Sequence, residues 1–301
     1  MLCENRTLFK YLMQSQIVTF LIKCPDQKGL VAKFTTFFYE QGFNILSCQQ
    51  YVNAMADRYY MRIRLDAAET EISKKELENK FEKVATTLKC TWSVHYGKEK
   101  QNVAIMVSHT SHCLYDLLER QREGTIDCNI SLIISNHNKL KPIADMFGIP
   151  YYHLPVSKET KTQQEAQIVE LLEEYNVDLI VMARYMQILS EDFINKYPQR
   201  IINIHHSFLP AFQGANPYQR AYERGVKLIG ATAHYATVDL DEGPIIEQDV
   251  ERISHESTPK TLKGIGADIE RLVLAKAVKC HLQHQIIVSD NRAIVFPESG
   301  E

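Results

Sequence analysis

The chain has 301 residues, 45% of them hydrophobic, so it can bury a sizeable core, and its length favours two domains over one. A formal net charge of -3, with no Lys/Arg-rich stripe carrying interleaved aromatics, argues against a nucleic-acid partner. Cys3, Cys24, Cys48, Cys90, Cys113, Cys128 and Cys280 form no Cys-x-x-Cys pair, and Glu4, Arg6 and Lys10 break the N-terminus before a secretory segment forms, so we expect reduced thiols in a soluble cytoplasmic protein with no membrane partner.

Residues 1 to about 14 read as a short lead-in around Leu8, Tyr11 and Leu12. From Ile17 to Ile22 a β-rich run leads into the polar turn Cys24-Pro25-Asp26-Gln27-Lys28-Gly29, where Asp26 is a candidate helix cap. Leu30, Val31, Phe34, Phe37, Phe38 and Tyr39 then recur at helical spacing until Gly42. Asn44 to Val52 and Tyr59 to Leu65 read as strands joined by a hairpin around Ala56-Asp57. A second helix, Ser73 to Thr87, aligns Leu77, Phe81 and Val84, and Cys90 to Tyr96 supplies a closing strand. The order is a ferredoxin-like βαββαβ. With Pro-Asp-x-x-Gly after the first strand and Phe-Asn-Ile opening the second, residues 15–97 resemble an ACT domain, a small regulatory module that often binds amino acids. The resemblance implies that Asp26, Gly29 and Asn44 face an amino-acid effector or a partner subunit, and hence a homo-oligomer, dimer or tetramer. A dimerising domain with no ligand is the alternative.

Gly97 to Asn102 is polar and reads as a linker, and a catalytic domain is expected over residues 103–298. Val103 to Val107 suits a buried parallel strand; a loop, Ser108-His109-Thr110-Ser111-His112, precedes a helix with Leu114, Leu117 and Leu118 in register. Small hydroxyl residues in that loop, Ser108, Thr110 and Ser111, are candidate caps for the helix. Strands at Asn129 to Ile134, Tyr151 to Leu154 and Asp178 to Ala183 alternate with helices at Lys139 to Phe147 and Gln163 to Tyr175. This alternation predicts an α/β fold, a doubly wound, Rossmann-like and mostly parallel sheet that continues through Arg200 to His205 and Lys227 to Thr237. A long helix, Pro259 to Gln283, is expected to bury Leu262, Ile265, Ile269, Leu272, Leu274 and Val278, with Thr258 or Ser257 as its cap, and a hairpin turning at Asp290-Asn291 closes the chain.

The stretch from Ile201 to Asp249 carries the chemistry. Asn203 and His205 stand two apart at a strand's carboxyl end, where open α/β sheets bind ligands, so they project from the same side. His234 ends a later strand and Asp241 sits in the turn Asp241-Glu242-Gly243-Pro244. An amide and an imidazolium are suitable donors for the oxyanion of a formyl or acyl carbonyl under attack, and a carboxylate can charge the imidazole and take a proton from the nucleophile. Singly, each residue has a plainer reading: a hydrogen-bonded structural histidine, a turn aspartate, or ligands of a zinc ion shared with His206, although no His-x-x-x-His spacing supports a metal.

Together they match a family. Asn-Ile-His-His-Ser-Phe-Leu-Pro from Asn203 and Leu-Asp-Glu-Gly-Pro-Ile-Ile from Leu240 resemble the paired signatures of folate-dependent formyltransferases. The intervening Phe-Gln-Gly-Ala-Asn-Pro-Tyr-Gln-Arg-Ala and Gly-Val-Lys-Leu-Ile-Gly-Ala-Thr-Ala-His-Tyr, with the ACT-like segment, resemble the formyltetrahydrofolate deformylase family along essentially the whole chain. The resemblance implies hydrolysis of 10-formyltetrahydrofolate to tetrahydrofolate and formate, with formate feeding purine synthesis. It implies no cofactor and no metal, Asn203, His205 and Asp241 as catalytic residues with His234 beside the aspartate, and a pterin pocket at Met186, Gln187, Ile188 and Leu189. Related transferases carry arginine where this chain has Gln187. The alternatives are a transferase with an amine acceptor such as glycinamide ribonucleotide, or an inactive folate or amino-acid sensor.

Overall fold

A computed structural model describes residues 17–97, 100–210 and 217–297 of the chain. The lead-in around Leu8 and residues 211–216 of the central motif lie outside the described residues. The fold divides into two units, one built on the chain up to Lys100 with His284–Ile287 and the stretch from Val295, the other on Gln101–Gln283 with Val288–Ile294.

In the first unit the order is β1 (Ile17–Pro25), α1 (Leu30–Glu40), β2 (Asn44–Asn53), β3 (Arg58–Asp66), α2 (Lys74–Leu88) and β4 (Thr91–Tyr96). The strands form one antiparallel sheet in the order β2-β3-β1-β4, the ferredoxin-like arrangement that the sequence predicts. Two helices cover it because each presents an aromatic stripe: Phe34, Phe37 and Phe38 on α1 and Phe81 on α2 close over Phe20 of β1. The Phe20 ring lies 4.8 Å from Phe81 and 4.9 Å from Phe38, centroid to centroid, within the range of favourable aromatic pairs. Ser73 caps α2 by accepting from the Glu76 amide. Asp26 does not cap α1. That position belongs to Gly29, whose φ of 84° is the left-handed conformation that glycine adopts without strain and aspartate would adopt at a cost.

The second unit contains β5 (Asn102–Val107), α3 (His112–Arg122), β6 (Asn129–Ser135), α4 (Lys141–Phe147), β7 (Tyr151–His153), α5 (Lys161–Glu174), β8 (Leu179–Met182), α6 (Glu191–Lys196), β9 (Ile201–His205), α7 (Pro217–Arg224), β10 (Leu228–Tyr235), β11 (Ile245–Arg252) and α8 (Pro259–Leu282). Its sheet runs β11-β10-β9-β8-β5-β6-β7, parallel from β9 to β7, with β10 and β11 antiparallel at one edge. The chain winds outwards from β5 in one direction and returns through β8 in the other, so β5 and β8 flank a topological switch point. Sequence periodicity misses β11 because its outer part, from Glu247 to Arg252, is an edge of mostly polar residues whose last four side chains are exposed. The short α6 and α7 offer too few turns to show a period.

Helix α8 packs on β9, β10, β11, α3 and α7. Thr258 caps it and Leu262, Ile269, Leu274 and Val278 are buried, as expected, joined by Gly266, Glu270 and Val273, whereas Ile265 is half-buried and Leu272 is 46% exposed. The closing hairpin pairs β12 (Ile286–Ser289) with β13 (Arg292–Val295) through Asp290 at φ 55°, and its residues are divided between the two units.

Candidate active site

The antiparallel pairing of β9 with β10 places His234 directly opposite Asn203 and Thr232 opposite His205. Asn203 Nδ2 lies 3.2 Å from His234 Nε2, and His234 Nδ1 lies 3.0 Å from the Tyr235 carbonyl. A carbonyl only accepts, so His234 Nδ1 carries a proton.

Asp241 reaches this pair from the loop after β10. The Tyr235 amide donates to the Pro244 carbonyl at 3.0 Å, folding the loop back on the strand. Gly243 makes that fold possible: a β-carbon there would stand 1.8 Å from the Tyr235 carbonyl oxygen. Asp241 itself has φ 59°, a left-handed conformation that aspartate tolerates better than most residues. Its Oδ2 lies 3.1 Å from His205 Nδ1 and its Oδ1 3.6 Å from His234 Nε2. Burial pushes the carboxyl up, but hydrogen bonds to His205 and His234, with the charge of both rings, outweigh it and hold Asp241 well below the usual carboxylate range. His205 Nε2 is buried and has no hydrogen-bond partner.

These residues border a cavity of about 710 Å³ at the switch point, which the predicted residues Asn203, His205, Asp241, Met186, Gln187 and Ile188 line. Leu189 does not join them; it is 7% exposed and packs in the core with Ile180, Met182 and Phe193. Ser108 Oγ donates to Asn136 Oδ1 at 2.7 Å and accepts from the Met186 amide at 3.0 Å, which pins the start of the loop after β8. None of the predicted caps holds α3: Ser108 is committed to those bonds, Ser111 stands at the cap with no side-chain bond, and Thr110 Oγ1 is buried without a partner.

A second polar cluster lines the same cavity, and sequence reasoning missed it. Glu270 of α8 is 2% exposed; its Oε2 lies 2.7 Å from His112 Nε2, and its Oε1 accepts from the Tyr218 hydroxyl at 2.6 Å. Arg184 Nε approaches Oε2 to 3.4 Å. Burial raises the Glu270 carboxyl, but the His112 hydrogen bond, the Arg184 charge and the Tyr218 hydrogen bond together hold it down. Nearby His206 is pushed down to about 4, first by burial and then by Arg184 and His205, so it is neutral at pH 7. The signal was a carboxylate on the apolar stripe of α8, a position where an unpaired acid is rare. His112, Cys113 and Glu270 have ligand atoms within 4.8 Å of one another. They suit a cation poorly, because Arg184 already faces the carboxylate and burial keeps the Cys113 thiol protonated by raising it well above its ordinary value.

The suggested effector residues lie in the other unit. Asp26 donates its amide to the Asp57 carbonyl at 3.2 Å, Gly29 precedes α1, and Asn44 opens β2 with an exposed side chain.

Residues 101–278, which build the doubly wound sheet carrying this amide, two imidazoles and carboxylate, match the formyl transferase family. The formyltetrahydrofolate deformylase of Synechocystis sp. is 50% identical over 284 residues, covering 94% of this chain and all of its own. The crystal structure of a formyltetrahydrofolate deformylase from Pseudomonas syringae pv. tomato superposes with a TM-score of 0.91 at 37% identity, over 99% of this chain and 100% of that one. Glycinamide ribonucleotide transformylase 1 from Symbiobacterium toebii is a more distant likeness, with a TM-score of 0.63 and 27% identity over 67% of this chain and 97% of its own. The chain belongs to the formyltetrahydrofolate deformylase family. Among the described residues no helix is long and apolar enough to cross a membrane.

Proposed function

We infer that this protein hydrolyses 10-formyltetrahydrofolate to tetrahydrofolate and formate. The observation that carries the reading is the convergence of Asn203, His205 and Asp241 on one cavity, with His205 Nδ1 on the carboxylate and Nε2 left without a partner. The exposed apolar side chains of Met186 and Ile188 suit the faces of a pterin, and the main chain near Gln187 supplies donors and acceptors for its edge.

In the mechanism, Asp241 accepts a hydrogen bond from water and aims its oxygen at the formyl carbon. Held at low basicity by the two imidazoles, the carboxylate takes the proton only as the carbon–oxygen bond forms and the attacking water turns strongly acidic. The developing oxyanion receives hydrogen bonds from the Asn203 amide and from Nε2–H of the doubly protonated His205, whose Nδ1–H donates to Asp241. The proton on Asp241 then passes to N10, the carbon–nitrogen bond breaks with its electron pair on nitrogen, and formic acid ionises to formate. His234 is a positioning residue that aligns Asn203 and Asp241. No cofactor or metal enters these steps.

A transferase would need to hold an acceptor. The loop after β5 has no glycine to admit a phosphate, and His112 turns into the cavity on Glu270. Water is therefore the nucleophile. Labelled 10-formyltetrahydrofolate should give formate equal to the folate consumed, with or without glycinamide ribonucleotide and after chelation; label on the ribonucleotide would overturn the hydrolytic reading. For the first unit we propose a small amino acid as effector, supported by the Asp26–Gly29 turn and Asn44, and self-association through the edge strand β2, where Leu46 and Val52 are 45% and 42% exposed. A cytoplasmic setting fits the cysteine usage.

A further inference from the structure

Among the described residues, the buried side-chain atoms without a hydrogen-bond partner are Ser47 Oγ, Thr110 Oγ1, Arg184 Nε and Nη1, and His205 Nε2. All but Ser47 belong to residues that line the one cavity. Buried polar atoms are nearly always satisfied, so a group of orphans on one wall marks where the acceptor atoms of a ligand go. The hydrolysis uses His205 Nε2. It leaves Arg184 and Thr110 unassigned.

The sheet places the two residues at the same end, on the lining of the same cavity. β5 and β8 are adjacent and parallel, with Met106 level with Met182, and Thr110 and Arg184 follow shortly after each strand ends. Arg184 holds φ 67°, unfavourable for a residue with a long side chain, and such strain collects at functional positions. Its guanidinium is only partly answered by Glu270, whose oxygens are already taken by His112 and Tyr218, and the 3.4 Å approach of Nε lacks hydrogen-bond geometry. An arginine keeps its charge at every working pH, whereas His206 beside it is neutral.

We propose that Arg184 and Thr110 form a subsite for a small carboxylate, and that its occupant is formate. The inference rests on the hydrolysis set out above. Cleavage leaves a new anion close to the carboxylate of Asp241, which repels it. A run of contacts links that carboxylate to the subsite through His205, 3.1 Å from it, then His206 and Tyr218, with ring centroids 5.1 and 6.4 Å apart, to Glu270 and Arg184. Formate drawn to the guanidinium and the Thr110 hydroxyl satisfies the orphaned donors and clears the reacting carbon, and the same contacts make formate a product inhibitor.

The test is formate binding to the full chain without folate, followed by relaxation of carbon-13 formate at constant ionic strength, with inorganic phosphate and acetate in parallel. Arg184→Gln should raise the formate Kd at least tenfold and Thr110→Val severalfold, and inhibition of turnover by formate should weaken by the same factors. Formate affinity unchanged in these variants, no formate binding to the unaltered protein, or Arg184-dependent binding of phosphate without formate would each overturn the proposal. If circular dichroism shows that Arg184→Gln is unfolded, Thr110→Val and Arg184→Lys decide, and unchanged affinity in both counts against the subsite. A protein that holds formate through Arg184 but releases none from 10-formyltetrahydrofolate sinks the hydrolysis reading. Turnover without Arg184-dependent formate binding sinks only the subsite.

Discussion

The carboxylate of Asp241 lies between two imidazoles, and that placement makes both activity and acid stability depend on it. Asp241→Asn keeps the shape and one acceptor oxygen but removes the proton acceptor, so turnover should fall about two orders of magnitude or more, a scale typical of losing an acid–base group. Steady-state assays beside a thermal melt check this; near-normal turnover in a folded variant would remove Asp241 from the mechanism. The depressed carboxyl also has a linkage consequence. The unfolded chain protonates Asp241 near the ordinary value of about 3.9 while the folded chain resists, so the stabilisation is whole above that pH and is lost as the pH falls towards the lower folded value. His206 acts in a different window: the unfolded chain takes a proton near about 6.5 and the folded chain only near 4, so stability declines as the pH drops between them. Urea midpoints measured from pH 7.5 to 4 should fall less steeply for His206→Gln than for the unaltered protein, and parallel curves would show that the burial of His206 carries no such penalty.

At the scale of elements, the turn from Asp241 to Pro244 is fixed by one missing side chain. A methyl group at Gly243 would collide with backbone, which cannot rotate aside as a side-chain tip can. Gly243→Ala should therefore lower the melting temperature and turnover together, at a cost of about 1–3 kcal/mol or more, the range for overpacking. A variant with full stability and activity would show that the loop has another route past Tyr235. Helix α8 uses the same device: Gly266 leaves room for the Tyr218 ring, whose hydroxyl would lie 2.0 Å from an added β-carbon and which donates to Glu270 one turn further along. In the first unit Phe81 is fully buried among Phe20, Phe34, Phe37 and Phe38, and Phe81→Ala should cost about 3–5 kcal/mol in denaturant unfolding of that unit. A loss below about 1 kcal/mol would mean that the cluster closes around the gap.

For the whole molecule, the self-association proposed above would use β2, the outer strand of the first sheet, where Leu46 and Val52 are exposed. Leu46→Lys places a charge on that edge and should shift sedimentation towards the monomer; an unchanged oligomer would locate the contact elsewhere. An amino-acid effector changes activity only if its affinity differs between two states of the protein, so calorimetry and turnover must respond to the same amino acid. Flat titrations across the natural amino acids would leave the first unit an associative role alone.

The sequence by itself determined the elements with strong periodicity, namely the ferredoxin-like order, the parallel strands from β5 to β9 and α8, because burial of one face repeats along each. It also picked out Asn203, His205, His234 and Asp241, since polar residues at strand ends and in a Gly-Pro turn stand out against apolar runs. What it could not supply was whatever depends on residues distant along the chain. The edge strand β11 is mostly polar and pairs only because β10 lies beside it; Leu189 turns into the core although its neighbours Met186 and Ile188 face the cavity. Above all, Arg184, His112, Tyr218 and Glu270 come from four separate elements or loops, and no local spacing links them. Their meeting follows from the switch point between β5 and β8 and the packing of α8 against α3, α7 and β9 beside it, and so only the tertiary structure decided that this cavity has two charged ends.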